Sequence, residues 1–181
     1  TMRVEYVPMP PPQDAESIPV YLHNELQRIS TLLGSISEVH NSGMYLFPAG
    51  ATMSVTTTPS TITAYNRVRQ DEEGIESDTS AGTFSFLSTS RYHLTFNANV
   101  KHNSGGQTDT VIGVYVNDVL QSGSLRTLNF NGSHYLPISF AYQGKANRGD
   151  VISIKVAMSS GSSTLTFNTL DADIEGRLID V

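Results

Sequence analysis

The chain has 181 residues, a mass of 19.7 kDa and a formal charge of −6 from 17 acids against 11 bases. It has no cysteine, which excludes disulfide frameworks, Cys-based zinc sites, iron–sulfur clusters and thiol catalysis. An acidic chain with only three lysines is a poor partner for nucleic acid phosphates, and no apolar run approaches the roughly 20 residues of a membrane helix. The N-terminus lacks the basic-then-apolar layout of a signal peptide, so no export signal is expected. Forty positions, 22 Ser and 18 Thr, carry a small hydroxyl, and charged residues make up only 15%. That balance points to short β-strands with many turns.

Three parts follow in chain order. Residues 1–17 hold the run Tyr6-Val7-Pro8-Met9-Pro10-Pro11-Pro12. Proline fixes φ and removes donors, so an extended segment is expected there. It is either a tail or a peptide that docks on another protein, with Tyr6, Val7 and Met9 as apolar grip.

Residues 18–43 read as a short helix and a linker. Pro19 suits a first helical turn. Leu22, Leu26, Ile29, Leu33 and Ile36 then recur at steps of 4, 3, 4 and 3, which is a heptad seam. Leucine at the a positions Leu26 and Leu33, with isoleucine at d, favours three or four strands over two. The competing reading is an amphipathic helix on its own domain. So short a helix is marginal alone, and Gly34 weakens it further. Asn41-Ser42-Gly43 reads as the break after it.

Residues 44–181 read as all-β. Alternation runs through Tyr92–Val100, Ile112–Val116, Leu136–Phe140 and Val151–Met158, with shorter candidates at 53–57, 62–66, 83–86, 125–130, 164–167 and 173–179. Asn117-Asp118 has the form of a two-residue hairpin turn, and Asn147-Arg148-Gly149-Asp150 that of a turn into the next strand. Eight to ten such strands suggest a sandwich or jelly roll.

Candidate chemistry is sparse. Arg148-Gly149-Asp150 spells an adhesion tripeptide but is better explained as turn residues. Asn131-Gly132-Ser133 is a glycosylation triplet that matters only in a secretory pathway. Asp71–Asp78 is the densest acidic run, without the spacing of a dedicated calcium loop, and reads as a solvated loop. Asp171, Asp173 and Glu175 alternate onto one strand face, either as a cation site or, preferably, as that face's wetted side. The five histidines show no metalloenzyme spacing, and no nucleophile elbow or phosphate loop is present. No catalytic residue, metal or cofactor is therefore expected.

Ala64–Val68, Asp78-Thr79-Ser80-Ala81-Gly82-Thr83-Phe84, Tyr92–Ala98, Arg148–Ile154 and Ile174-Glu175-Gly176-Arg177-Leu178-Ile179 form an ordered set. It resembles the globular heads of the complement/tumour-necrosis-factor family. The last set departs from the usual pattern, with Ile174 in place of an aromatic and charges in place of neutral residues. The resemblance implies a ten-stranded jelly roll assembled as a tight trimer, with both termini at one end. The front of the chain, Pro-rich residues followed by Ile18–Ser30, is similar to the N-terminal segments of small virion proteins of tailed phages. That resemblance implies a capsid- or tail-attaching peptide and a short helix before a trimeric knob. The expectation is a non-enzymatic homotrimeric virion protein, a head or tail fibre whose knob contacts a host-surface glycan or protein. The alternative is a decoration protein that binds capsid and no receptor.

Overall fold

The computed structural model describes residues 8, 10, 12, 17–37, 39–70, 74–103, 108–130 and 134–178, apart from the side chains of 30–37, 70 and 108. It divides into two units, one containing the helix and one spanning Val39–Ile179.

In the first unit, helix α1 spans Ile18–Ser37. It opens with the Ser17 carbonyl accepting from the Tyr21 amide at 3.0 Å, and Pro19 occupies the first turn, where its missing N–H costs nothing. Arg28 and Glu25, one turn apart, pair at 2.9 Å.

The second unit is a two-sheet antiparallel sandwich. Its strands are β1 (Val39–Tyr45), β2 (Ala51–Val55), β3 (Ser60–Thr61), β4 (Arg67–Gln70), β5 (Ile75–Asp78), β6 (Thr83–Phe86) and β7 (Ser90–His102). Then come β8 (Thr108–Val116), β9 (Val119–Leu120), β10 (Arg126–Phe130), β11 (Leu136–Ala146), β12 (Val151–Met158) and β13 (Ser163–Leu178). One sheet runs β11-β7-β13-β1-β4 with β2 on β13; the other runs β10-β8-β12-β6-β5 with β3 on β12 and β9 on β8. Strands adjacent in space are rarely adjacent in sequence, which is the jelly-roll connectivity.

Alternation builds the core. On β7, Tyr92, Leu94, Phe96, Ala98 and Val100 face inward, while Arg91, His93, Thr95, Asn97 and Asn99 face outward. The facing sheet supplies Phe84, Phe86, Ile112, Val114, Ile152, Ile154 and Val156. Phe96 packs on Phe140 with ring centroids 5.2 Å apart, and Phe86 on Tyr92 at 5.6 Å. Gly176 leaves room in that core, because a Cβ there would come within 2.9 Å of Ile75 Cδ1.

Several expectations are corrected. Asn41-Ser42-Gly43 is not a break but part of β1, paired to β13 on one side and, from Gly43, to β4 on the other. Its small, turn-like residues are tolerated because backbone bonds to its neighbours hold the strand. The β unit therefore starts at Val39, five residues before Met44. The segment 62–66 forms no strand; beyond Thr61 the Ile62 amide still donates to the Ile154 carbonyl of β12 at 2.9 Å, and Ile62 and Tyr65 are buried. The segments 164–167 and 173–179 belong to one strand, β13. A bulge at Asn168 resets its period, so Leu165 and Phe167 and then Leu170, Ala172 and Ile174 all point inward.

Candidate functional site

Two surfaces carry the functional expectations: the seam of α1 and the outer face of the β11-β7-β13-β1-β4 sheet.

On α1 the expected seam stands exposed. Leu22 is 52% accessible, Leu26 65% and Ile29 36%. Leu33 and Ile36 continue it on the helix backbone, but their side chains lie outside the described residues. Of the anchor residues, Pro8, Pro10 and Pro12 are described and are neither helix nor strand; Tyr6, Val7, Met9 and Pro11 lie outside the described residues.

On the outer sheet face, Asp171, Asp173 and Glu175 do share one side, as their spacing requires. All three are tied up: Arg177 Nε donates to Glu175 Oε1 at 3.0 Å, and one arginine holds the other two. Arg69 Nη2 donates to Asp171 Oδ2 at 2.5 Å, and Arg69 Nη1 donates to Asp173 Oδ2 at 2.7 Å. The Arg69 guanidinium also lies over the Tyr45 ring, 5.4 Å from its centroid. Arg69 reaches there through a bulge: Val68 pairs with Met44 and Gln70 with Gly43, so Arg69 is the extra residue and is turned outward. Gly43 makes the space, since a Cβ there would lie 2.1 Å from Asp173 Oδ1.

The electrostatics follow from that geometry. The Asp173 carboxyl is held above its ordinary value, first by burial and then by the Asp171 charge, with Arg69 opposing both. Arg69 is pushed up mainly by its hydrogen bond to Asp171. The Tyr65 hydroxyl, wholly buried, is pushed well above its ordinary value by burial and by the charge of Asp171. A cation at Asp171 and Asp173 would have to displace a guanidinium already bonded to both. Among the described residues no group of three or more His, Asp or Glu is arranged to hold a metal.

Two depressions lie on the same face. The smaller, about 360 Å³, is lined by Asn41, Gly43, Arg69, His93, Asp173 and Glu175. The larger, about 670 Å³, is lined by Arg91, His93, Gln143, Lys145, Glu175 and Arg177 around a floor of Tyr92 and Gly144.

The adhesion tripeptide resolves into a turn. Gly149 has φ +87°, Asp150 Oδ2 accepts from the Asn147 amide at 2.7 Å, and Asp150 Oδ1 accepts from Asn117 Nδ2 at 2.8 Å. Asn117 and Asp118 have φ of +48° and +66°, as a primed hairpin turn needs. Residues 71–73 of the acidic run and the Asn131-Gly132-Ser133 triplet lie outside the described residues.

Sequence reading did not find Arg69, Gly43 or the outward residues of β7 and β11 as a set. In the sequence Arg69 is only a base just before the acidic run. Its real partners lie more than a hundred residues downstream, and no local pattern signals them.

No protein-family model matches the chain, and no curated protein does. Solved structures do. The tumour necrosis factor Eiger from S. frugiperda superposes with a TM-score of 0.53 at 10% identity, over 79% of this chain and 94% of that one. The globular domain of zebrafish complement 1qA gives 0.42 at 14%, over 79% and 98%; the PRD1 vertex protein P5 gives 0.48 at 11%, over 79% and 100%. The β unit is thus a jelly roll of the tumour-necrosis-factor type, an all-β domain of two antiparallel sheets.

Proposed function

We propose that the chain is a non-enzymatic homotrimeric structural protein of a tailed-phage virion. Residues 1–17 attach it to the particle, α1 joins three copies, and the β domain projects as a knob for host-surface adhesion. The observation that carries the reading is the exposed heptad seam on α1, directly ahead of a jelly roll. Three leucine and isoleucine side chains left partly in water on one helical stripe are best satisfied by copies of the same stripe. The resemblance of the β domain to complement and tumour-necrosis-factor heads implies the same stoichiometry. The virion assignment rests on the likeness of the Pro-rich segment and Ile18–Ser30 to phage virion proteins. Polar surface and low charge suit weak contacts that gain strength from many copies.

Light scattering on the full chain tests the assembly. A mass of about 59 kDa, three times 19.7 kDa, is expected; 19.7 kDa would end the trimeric reading. A chain starting at Val39, the first residue of β1, shows whether the β domain trimerises alone. Pull-down on purified capsids and on host cells separates an adhesin from the alternative, a decoration protein. The adhesin binds both; the decoration protein binds capsids only.

A further inference from the structure

The outer face of the β11-β7-β13-β1-β4 sheet carries charges that a single chain leaves unbalanced. Arg91 on β7 is directly opposite Arg177 on β13, and on its other side directly opposite Lys145 on β11. Like charges opposite one another in a sheet destabilise it. Neither β7 nor β11 contains an Asp or Glu; the acids of this face, Asp171, Asp173 and Glu175, all stand on β13. Those three are held by Arg69 and Arg177. Arg91 and Lys145 have no ion-pair partner among the described residues. The face is thus split, with unpaired cations on its β11–β7 side and every acid on its β13 side. The cationic side is also the edge of the sheet, because β11 is its outermost strand.

The same face is poor in apolar groups. No Leu, Ile, Val or Phe points outward on β7, on β11 or on β13 from Thr169 to Arg177. In the proposed homotrimer this face packs between copies. It then gains little from burying apolar area, and each charge must find a partner or lose its hydration without compensation. Symmetry shows where the partner lies. A three-fold ring is built from heterologous contacts, in which one patch meets a different patch of the next copy. The β11–β7 edge of one copy can therefore lie on the β13 side of the next, cations against acids.

We propose that Arg91 and Lys145 of one copy pair with Glu175 of the next. Arg177 donates to Oε1 of Glu175, and a carboxylate offers a second oxygen with acceptor sites of its own. The pairing gives the contact a direction. A cationic edge against an acidic face closes a ring, whereas edge against edge or face against face opposes like charges. The charges that look unbalanced in one chain thus encode how copies join. The inference rests on the homotrimer reading and names the residues that set the contact between copies.

The test uses the full chain in sedimentation velocity over a dilution series at low salt. Arg91→Glu/Lys145→Glu sets acids against Glu175 of the next copy. It should raise the concentration of half-dissociation by at least about tenfold. Adding Glu175→Arg reverses the other side of the contact, and the triple variant should assemble like the wild type. That recovery also shows that the double variant does not fail by misfolding. Mixing then separates pairing between copies from pairing within one. Affinity-tagged wild type should retain less of the triple variant than random exchange gives, because every mixed contact opposes like charges. Random exchange places the pairing inside one copy and overturns the proposal. A double variant that assembles like the wild type, or a triple variant that does not recover, overturns it too. A trimeric wild type with either of those results refutes the pairing alone. A monomeric wild type removes the homotrimer reading and the pairing with it.

Discussion

Replacing Leu26 with aspartate tests the assembly at the most exposed of the described seam side chains. In the single chain 65% of Leu26 is accessible. Burying a leucine fully stabilises by about 1.5–3 kcal/mol, so covering that remainder in a three-stranded seam contributes about 1–2 kcal/mol per chain, or about 3–6 kcal/mol per trimer. Leu26→Asp forfeits this and adds the cost of desolvating a carboxylate in an apolar seam. At about 1.4 kcal/mol per factor of ten, the trimer association constant falls by at least roughly a hundredfold to ten-thousandfold. Sedimentation velocity over a dilution series reads this as dissociation at higher protein concentration. Leu26→Met, which nearly conserves volume, should behave as wild type. Asn24→Asp adds the same charge on the far side of the helix and should leave the profile unchanged. If Leu26→Asp dissociates at the wild-type concentration, or Asn24→Asp weakens the trimer as much, the seam does not hold the copies together.

Other substitutions probe the fold beneath the site. Phe96→Ala empties a fully buried position against Phe140 and should cost about 3–5 kcal/mol in a denaturant titration. Gly82→Ala should cost at least about 2 kcal/mol, because its φ of +68° is left-handed and a Cβ would lie 2.0 Å from the Ile62 carbonyl oxygen, part of the rigid backbone. Gly43→Ala should cost less, below about 1.5 kcal/mol, because only the Asp173 carboxylate must move away from an exposed ion pair. In the Gly43→Ala/Asp173→Ala double variant the two effects should not add, and an additive cycle would refute this account. Asp78 Oδ1 accepts from the Ser80 hydroxyl at 2.6 Å, the Ser80 amide at 2.8 Å and the Ala81 amide at 3.0 Å. These bonds, the Ser80 hydroxyl foremost, hold its carboxyl below the ordinary 3.8. The stabilisation is therefore complete above pH 3.8 and is lost as the pH falls through the lower folded value. Asp78→Asn keeps an acceptor without a charge, so its melting temperature should fall less steeply over that acidic range than that of the wild type.

Local pattern carried much of the architecture. Period-3.5 spacing from Leu22 to Ile36 placed α1, because a helix repeats its face over that interval. Period-2 alternation placed the middle of β7, β8 and β11, because each of these strands turns alternate residues to the core, and it placed β12 at Val151–Met158 although Ser153 and Ala157 on its other face are buried as well. The Asn117-Asp118 turn was legible because few residue pairs adopt two successive positive φ angles. Local pattern failed where burial and pairing part company. Ile62 and Tyr65 are buried without lying in a strand, while Asn41-Ser42-Gly43 has turn composition yet lies in a strand paired on both sides. It failed again at the bulge in β13, where one extra residue joins two apparent strands into one.

The sequence by itself determined the order of helix and β domain and the faces of most strands. Each of these depends on the spacing of neighbouring residues. Only the tertiary structure decided what lies on the outer sheet face. Arg69 meets Asp171 and Asp173 because a bulge turns it outward and Gly43 leaves space. Arg177, Arg91 and Lys145 form a row because β13, β7 and β11 are neighbours in one register. Strand neighbours in a jelly roll come from distant parts of the chain, so no short stretch of sequence encodes which charges will stand side by side.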